Sequence, residues 1–215
     1  MPLIVLEGPE GAGKTTQLRL LADWLGEREV EVIAVREPGG TPVGDQIRRV
    51  LLDPASDIVP RAEALLFMAS RAQLVQREIL PALATNHVIL LDRFFLSTYA
   101  YQVAGRGLPQ EEIVAANRLA TATLRPDLTL LLSLPVEEGL RRAGARGPSD
   151  RMEQAAVAFH ERVAGAFAEF ATREWQAAHP EAGPVTTVDG RGAEDEVFRR
   201  VLATLAHRWP GTFAS

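Results

Sequence analysis

The sequence predicts an α/β fold built on a doubly wound parallel sheet, and three observations predict it. Short apolar runs alternate with helical patterns along the whole chain. The first run leads into Gly8-Pro9-Glu10-Gly11-Ala12-Gly13-Lys14-Thr15, which fits the phosphate-loop pattern G-x-x-x-x-G-K-[ST]. A later run ends on an aspartate, Asp92, where such a sheet presents its ligand-binding edge.

Leu3 to Leu6 is apolar and short, as a buried parallel strand should be. The glycine-rich loop that follows bends backbone N–H groups around phosphate oxygens, and Leu18, Leu21, Ala22 and Leu25 then recur at helical spacing. Strand, loop and helix therefore come in the order that phosphate binding requires. Val30 to Val35 is the second strand, and Pro38-Gly39-Gly40 turns the chain, with Arg36 and Glu37 just ahead of it. The stretch from Arg61 to Ala84 is helical, and Pro81 is expected to kink or restart it.

Val88 to Leu91 forms the third strand, ending in Asp92-Arg93. A carboxylate there lies beside the phosphate loop and suits Mg²⁺ or its waters, and a guanidinium next to it suits a phosphate. Read alone, the same aspartate would as readily cap the next helix, and the arginine would serve as a surface ion pair. Gly105-Arg106-Gly107 is a loop, Leu128 to Leu134 the fourth strand and Val185 to Val188 the fifth. A long helix is expected from Met152 to about His179 and a last one from Ala193 to Arg208. Between strand four and the long helix, Arg141, Arg142, Arg146 and Arg151 fall in a segment punctuated by glycine and proline, a pattern suited to a lid that closes over a triphosphate.

Composition narrows the function. With 215 residues, 47% of them hydrophobic and 24% charged, the chain reads as one ordinary globular domain. The net charge of −5 gives no global attraction to nucleic acid or to anionic membrane, so anion binding falls to local arginines. No cysteine is present, which removes disulfides and thiolate metal sites and suits the cytoplasm. No stretch approaches the ~20 apolar residues of a membrane span. Lys14 is the sole lysine among 23 basic residues, so an N-K-x-D guanine-reading segment does not exist here. A small-molecule kinase and an ATP-dependent switch remain.

The stretches GPEGAGKTTQ at 8–17, VREPGGTPVGDQIR at 35–48, EALLFMASRAQLV at 63–75, DRFFLSTYAYQ at 92–102, GRGL at 105–108, RPDLTLLL at 125–132 and ARGPSDRMEQ at 145–154 resemble bacterial thymidylate kinases, in family order. The resemblance implies a nucleoside monophosphate kinase fold on a five-stranded parallel sheet ordered 2-3-1-4-5. It implies transfer of the γ-phosphoryl of ATP to dTMP with Mg²⁺, within a homodimer. A kinase for another monophosphate and a non-catalytic switch are the alternatives.

Carried over residue by residue, the resemblance places Gly8, Pro9, Glu10, Gly11, Ala12, Gly13, Lys14, Thr15 and Thr16 around the ATP phosphates, with Lys14 on the β- and γ-phosphates. Thr15 and Asp92 face Mg²⁺. Glu10 approaches the 3′-hydroxyl of the acceptor, Phe67 stacks on thymine and Arg71 bonds its edge. Ser97, Thr98, Tyr101 and Gln102 line the acceptor pocket, with Tyr101 disfavouring a ribose 2′-hydroxyl. Arg36 and Glu37 orient the acceptor phosphate or a neighbouring arginine. Family members without a basic residue at the position of Ala12 take the catalytic cation from the lid, so Arg146 and Arg151 join Lys14, Arg93 and Asp92 as the catalytic candidates.

Overall fold

A computed structural model describes residues 1–145 and 150–214. The chain runs β1 (Leu3–Glu7), α1 (Lys14–Gly26), β2 (Val32–Arg36), α2 (Pro42–Leu52) and α3 (Pro60–Leu74). It continues through a π-helical turn at Val75–Ile79 into α4 (Leu80–Ala84), then β3 (Val88–Asp92), α5 (Phe95–Thr98), a second π-helical stretch at Tyr99–Gly105, and α6 (Gln110–Thr121). Last come β4 (Leu128–Ser133), α7 (Val136–Gly144), α8 (Val157–Phe170), α9 (Arg173–Ala178), β5 (Val185–Asp189), α10 (Glu194–Arg208) and α11 (Pro210–Phe213). The five strands pair in parallel in the order β2-β3-β1-β4-β5, the order that the family resemblance implied.

Strand alternation divides the core into two layers. Leu3, Val5, Ile89 and Leu91 face one way and pack with Leu74, Ile79, Phe94, Phe167 and Phe170. Ile4, Leu6, Leu90 and Leu130 face the other way and pack with Leu18, Leu21, Leu25, Val201 and Leu205. The register matches both Leu6 and Arg36 with Asp92, so the ends of three strands converge on one edge. The site is built there.

Of three expectations about helices and strands, two need correction and one holds. Strand two begins at Val32 rather than Val30, because Glu29 adopts a left-handed conformation (φ 57°) and the Val30 N–H turns back to the Leu25 carbonyl. The restart expected at Pro81 is seen: a π-helical turn at Val75–Ile79, in which Leu80 N–H reaches the Val75 carbonyl across a wider ring than the α-helical one, leads into α4 with Pro81 in its first turn. The long helix from Met152 to His179 is in fact two, α8 and α9. The chain breaks after Phe170 because the Thr172 hydroxyl accepts the Trp175 N–H at 3.2 Å, capping a new helix and folding Trp175 onto Phe170 with ring centroids 4.4 Å apart. Ahead of α8, the Asp150 carboxylate accepts the N–H groups of Met152 and Glu153 at 2.8 and 3.0 Å, which holds that segment as a turn.

Candidate active site

The phosphate loop owes its shape to close backbone approaches. Gly13 caps α1 at φ 88°, in the left-handed region. A Cβ on Gly11 would come within 2.0 Å of the Gly139 carbonyl oxygen, and a Cβ on Gly139 would come within 2.4 Å of the Glu10 carbonyl oxygen. Two glycines thus seat α7 directly on the loop. The Lys14 ammonium donates to the carbonyls of Gly8 and Pro9 at 2.9 and 2.8 Å, folded back across the loop and nearly buried. Burial, reinforced by Arg93, lowers its pKa to about 8 against the opposing pull of Glu10, Asp92 and Glu7.

The Thr15 hydroxyl donates to Asp92 Oδ2 at 2.6 Å, joining the start of α1 to the end of β3. Among the described residues no group of three or more His, Cys, Asp or Glu gathers to cage a metal. One hydroxyl and one carboxylate fit Mg²⁺, which takes few protein oxygens and fills the rest of its shell with phosphate and water.

Arg93 is held in a left-handed conformation (φ 70°), strained for a residue with a side chain, with its N–H on the Leu6 carbonyl at 3.0 Å. That turn aims its guanidinium back across the loop, where Nη2 donates to Glu10 at 2.5 Å and Nη1 to the Ser97 hydroxyl at 3.2 Å. Tyr101 donates to the same Glu10 oxygen at 2.8 Å. Burial disfavours charge on Arg93, but Glu10, Tyr101, Asp92 and Glu7 together outweigh it and hold the guanidinium firmly protonated. Burial and Glu10 together push the Tyr101 hydroxyl well above its ordinary range.

Behind this triad stands Glu7, which is fully buried at the end of β1. Its carboxylate accepts the N–H groups of Phe94 and Ser97 at 2.7 and 3.0 Å and the Ser97 hydroxyl at 2.6 Å. It supplies acceptors for the otherwise orphaned donors at the start of α5 and fixes Ser97, and through Ser97 it steadies Arg93.

On the other wall Arg71 is buried in a complete cradle. Its Nε and Nη2 pair with the Glu37 carboxylate, Nη1 donates to Thr98 at 2.9 Å and to the Asn117 carbonyl, and Nη2 also donates to the Phe94 carbonyl at 2.8 Å. Burial raises the Glu37 carboxyl, and the paired guanidinium works against that rise. Gln102 reaches Glu63, a wholly buried carboxylate that also receives Arg106 at 2.9 Å and Arg151 at 2.6 Å. Burial alone would raise Glu63, yet the hydrogen bonds from the two arginines hold it below the usual carboxylate range.

The structure brings most of the sequence candidates into one cleft. Glu10, Gly11, Gly13, Lys14, Thr15, Arg36, Glu37, Phe67, Arg71, Asp92, Arg93, Ser97, Thr98, Tyr101 and Gln102 all line it. Gly8 and Pro9 stand behind the lining and hold Lys14, Ala12 is buried in the apolar layer around α1, and Thr16 lies half-buried on α1. Arg151 points elsewhere: its Nε donates to the Leu51 carbonyl at 2.7 Å at the end of α2, and its Nη2 goes to Glu63. Arg142 spans Glu138 and the Gly190 carbonyl. Arg146 lies outside the described residues. Sequence reasoning missed Arg48, Asp150, Met152 and Glu153, which also line the cleft, and the supporting Glu7, Glu63 and Asn117. For Glu63 a signal existed, a carboxylate within the apolar run EALLFM.

A family model described as thymidylate kinase matches residues 6–185. The chain belongs to the thymidylate kinase family. It is 50% identical over 174 residues to a thymidylate kinase of Pseudomonas putida (strain W619), covering 80% of this chain and 84% of that one. It is 44% identical over 205 residues to a thymidylate kinase of Deinococcus radiodurans, covering 95% and 96%. The crystal structure of a thymidylate kinase from Ehrlichia chaffeensis superposes with a TM-score of 0.73 at 29% identity, covering 95% of this chain and 97% of that one. Membership in the family makes this protein a phosphotransferase acting on nucleotides. No helix among the described residues is long and apolar enough to cross a membrane.

Proposed function

We propose that this thymidylate kinase family member transfers the γ-phosphoryl group of ATP to the phosphate of dTMP, giving dTDP and ADP. The observation that carries this reading is the single cleft in which a phosphate loop and Asp92 adjoin an acceptor wall of Phe67, Arg71, Thr98 and Gln102. Phe67, half-buried on α3, offers a face for a base, and Arg71 one helical turn later presents a cation beside it.

The chemistry follows from charge. An acceptor phosphate with a second pKa of about 6 is already ionised at neutral pH, so positioning matters more than a strong base. Two unit charges 4 Å apart interact by ~4 kcal/mol at an effective dielectric of 20, so the facing polyanions need cations between them. Lys14 leaves its loop carbonyls for the transferring phosphate, and Arg93, preset by its backbone turn and by Ser97, meets the acceptor phosphate with Arg36. Bound between Thr15 and Asp92, Mg²⁺ would neutralise phosphate charge and orient the triphosphate. Glu10 holds Arg93 and Tyr101 and faces the acceptor sugar. We assign the lid role to 141–152 within one domain spanning 1–215, with Arg146 as the cation that reaches the phosphates. Arg151 stays among the candidates, and its bonds to Glu63 and Leu51 favour an anchoring role for it.

We further propose a cytoplasmic homodimer with no nucleic-acid or membrane partner. In support of the dimer, Val43 and Val50 on α2, Leu65 on α3 and Leu119 on α6 are exposed on helices that pack side by side. Release of ADP from Mg·ATP against a panel of nucleoside monophosphates tests the substrate. Fast release with dTMP alone supports the proposal, a better acceptor displaces it, and release indifferent to acceptor makes the protein an ATPase switch.

A further inference from the structure

Arg71 has five N–H donors, and every one of them meets a protein acceptor. A base carbonyl that bonds to Arg71 must therefore share or take the place of one of them. Glu37 is charged and doubly bonded, so it holds its place. The two Nη1 acceptors differ in position. Thr98 lines the cleft, and its hydroxyl keeps a second bond, to the Phe94 carbonyl at 3.4 Å, if Nη1 turns to a ligand. Asn117 is outside the cleft wall, on α6, and 1% exposed. Facing a donor-only guanidinium, its amide presents Oδ1, which leaves Nδ2 buried with no hydrogen-bond partner. A buried amide with an unmet donor costs stability that a leucine of similar volume would avoid. Its service to Arg71 accounts for its presence.

We propose that Asn117 is a positioning residue for acceptor recognition: from α6 it pins the rear Nη1 hydrogen of Arg71, so that the hydrogen facing Thr98 is the one offered to the base. This rests on the dTMP reading above. Asn117 touches neither substrate, and its effect passes through Arg71.

The test compares steady-state kinetics and melting temperature for the full-length wild type, Asn117→Leu and Asn117→Asp. Asn117→Leu removes the anchor without leaving an unmet amide donor. It leaves the rear Nη1 hydrogen of Arg71 without an acceptor, so it is expected to melt lower than the wild type, and to raise the KM for dTMP about tenfold while leaving kcat within twofold and the KM for ATP unchanged. Asn117→Asp keeps an oxygen on Nη1 but buries a second one unpaired, so it should melt lower while holding a KM for dTMP near that of the wild type. A wild-type KM for dTMP in Asn117→Leu, equal losses in kcat and in both KM values, or no rescue by Asn117→Asp overturns the proposal. If Asn117→Leu does not fold, Asn117→Ala is read in the same way. A wild type that fails to phosphorylate dTMP sinks the functional reading itself, a result distinct from a working wild type with an indifferent variant.

Discussion

Lys14 offers a prediction that can be worked through in numbers. Its ammonium is buried against two loop carbonyls with Arg93 nearby, and its pKa falls from 10.5 to about 8. About a tenth of the free protein therefore has a neutral Lys14 at pH 7, about half at pH 8 and about nine-tenths at pH 9. A triphosphate on the ammonium favours the charged form, so ATP binding must return the missing proton. The uptake should be about 0.1 proton at pH 7, about 0.5 at pH 8 and about 0.9 at pH 9, and affinity for ATP should weaken about tenfold from pH 7 to pH 9. Titration calorimetry in two buffers of different ionisation enthalpy reads the uptake directly, at pH values where ATP is itself fully ionised. Lys14→Met should abolish it. The sign for stability is the reverse of the sign for binding. Between pH 8 and 10.5 the unfolded chain holds a proton that the folded chain has released, so the cost of burying the charge, about 3 kcal/mol, is full below pH 8 and is relieved as pH rises. Proton uptake that is absent at pH 8 to 9, or that persists in Lys14→Met, would refute the assignment of this buried lysine to the triphosphate.

Three substitutions probe the rest of the cleft. Arg93→Ala should cut kcat about 100-fold or more in a protein that still folds, because the guanidinium acts on transition-state charge; turnover near the wild type would remove it from the mechanism. Phe67→Ala should mainly raise the KM for dTMP, by the roughly 1–3 kcal/mol that base stacking contributes, and an unchanged acceptor affinity would make Phe67 a packing residue. Arg151→Ala should lower stability in urea by about 1–3 kcal/mol, since it strips Glu63 of one partner and leaves the Leu51 carbonyl bare; a pure kcat loss at full stability would instead place Arg151 on the phosphates.

Much of the fold was legible because it is local. Leu3 to Glu7, Val88 to Asp92 and Leu128 to Ser133 are buried strands whose apolar runs announce themselves, and the phosphate loop carries its own pattern. The break between α8 and α9 was not legible, because Val163, Phe167 and Phe170 continue a helical apolar stripe up to it and the stop depends on a single threonine hydroxyl. The π-helical stretch that carries Tyr101 and Gln102 into the cleft has no marker in its residue types. The supporting polar residues were hidden for another reason. Glu63 meets Arg106 across 43 positions and Arg151 across 88, and Glu7 meets Ser97 across 90, so their roles exist only once the sheet has assembled. Arg151 shows the consequence: read as a lid cation from arginine density, it sits in the structure as a tie between α2 and α3.

The most direct test of the central claim is a nucleotide balance. Purified protein is incubated with Mg·ATP and equimolar dTMP, and the products are resolved by ion-exchange chromatography. The cleft described here predicts dTDP and ADP in equal amounts, with almost no ADP when dTMP is omitted. ADP formed without dTDP, or dTMP left untouched while another monophosphate is phosphorylated, would contradict it.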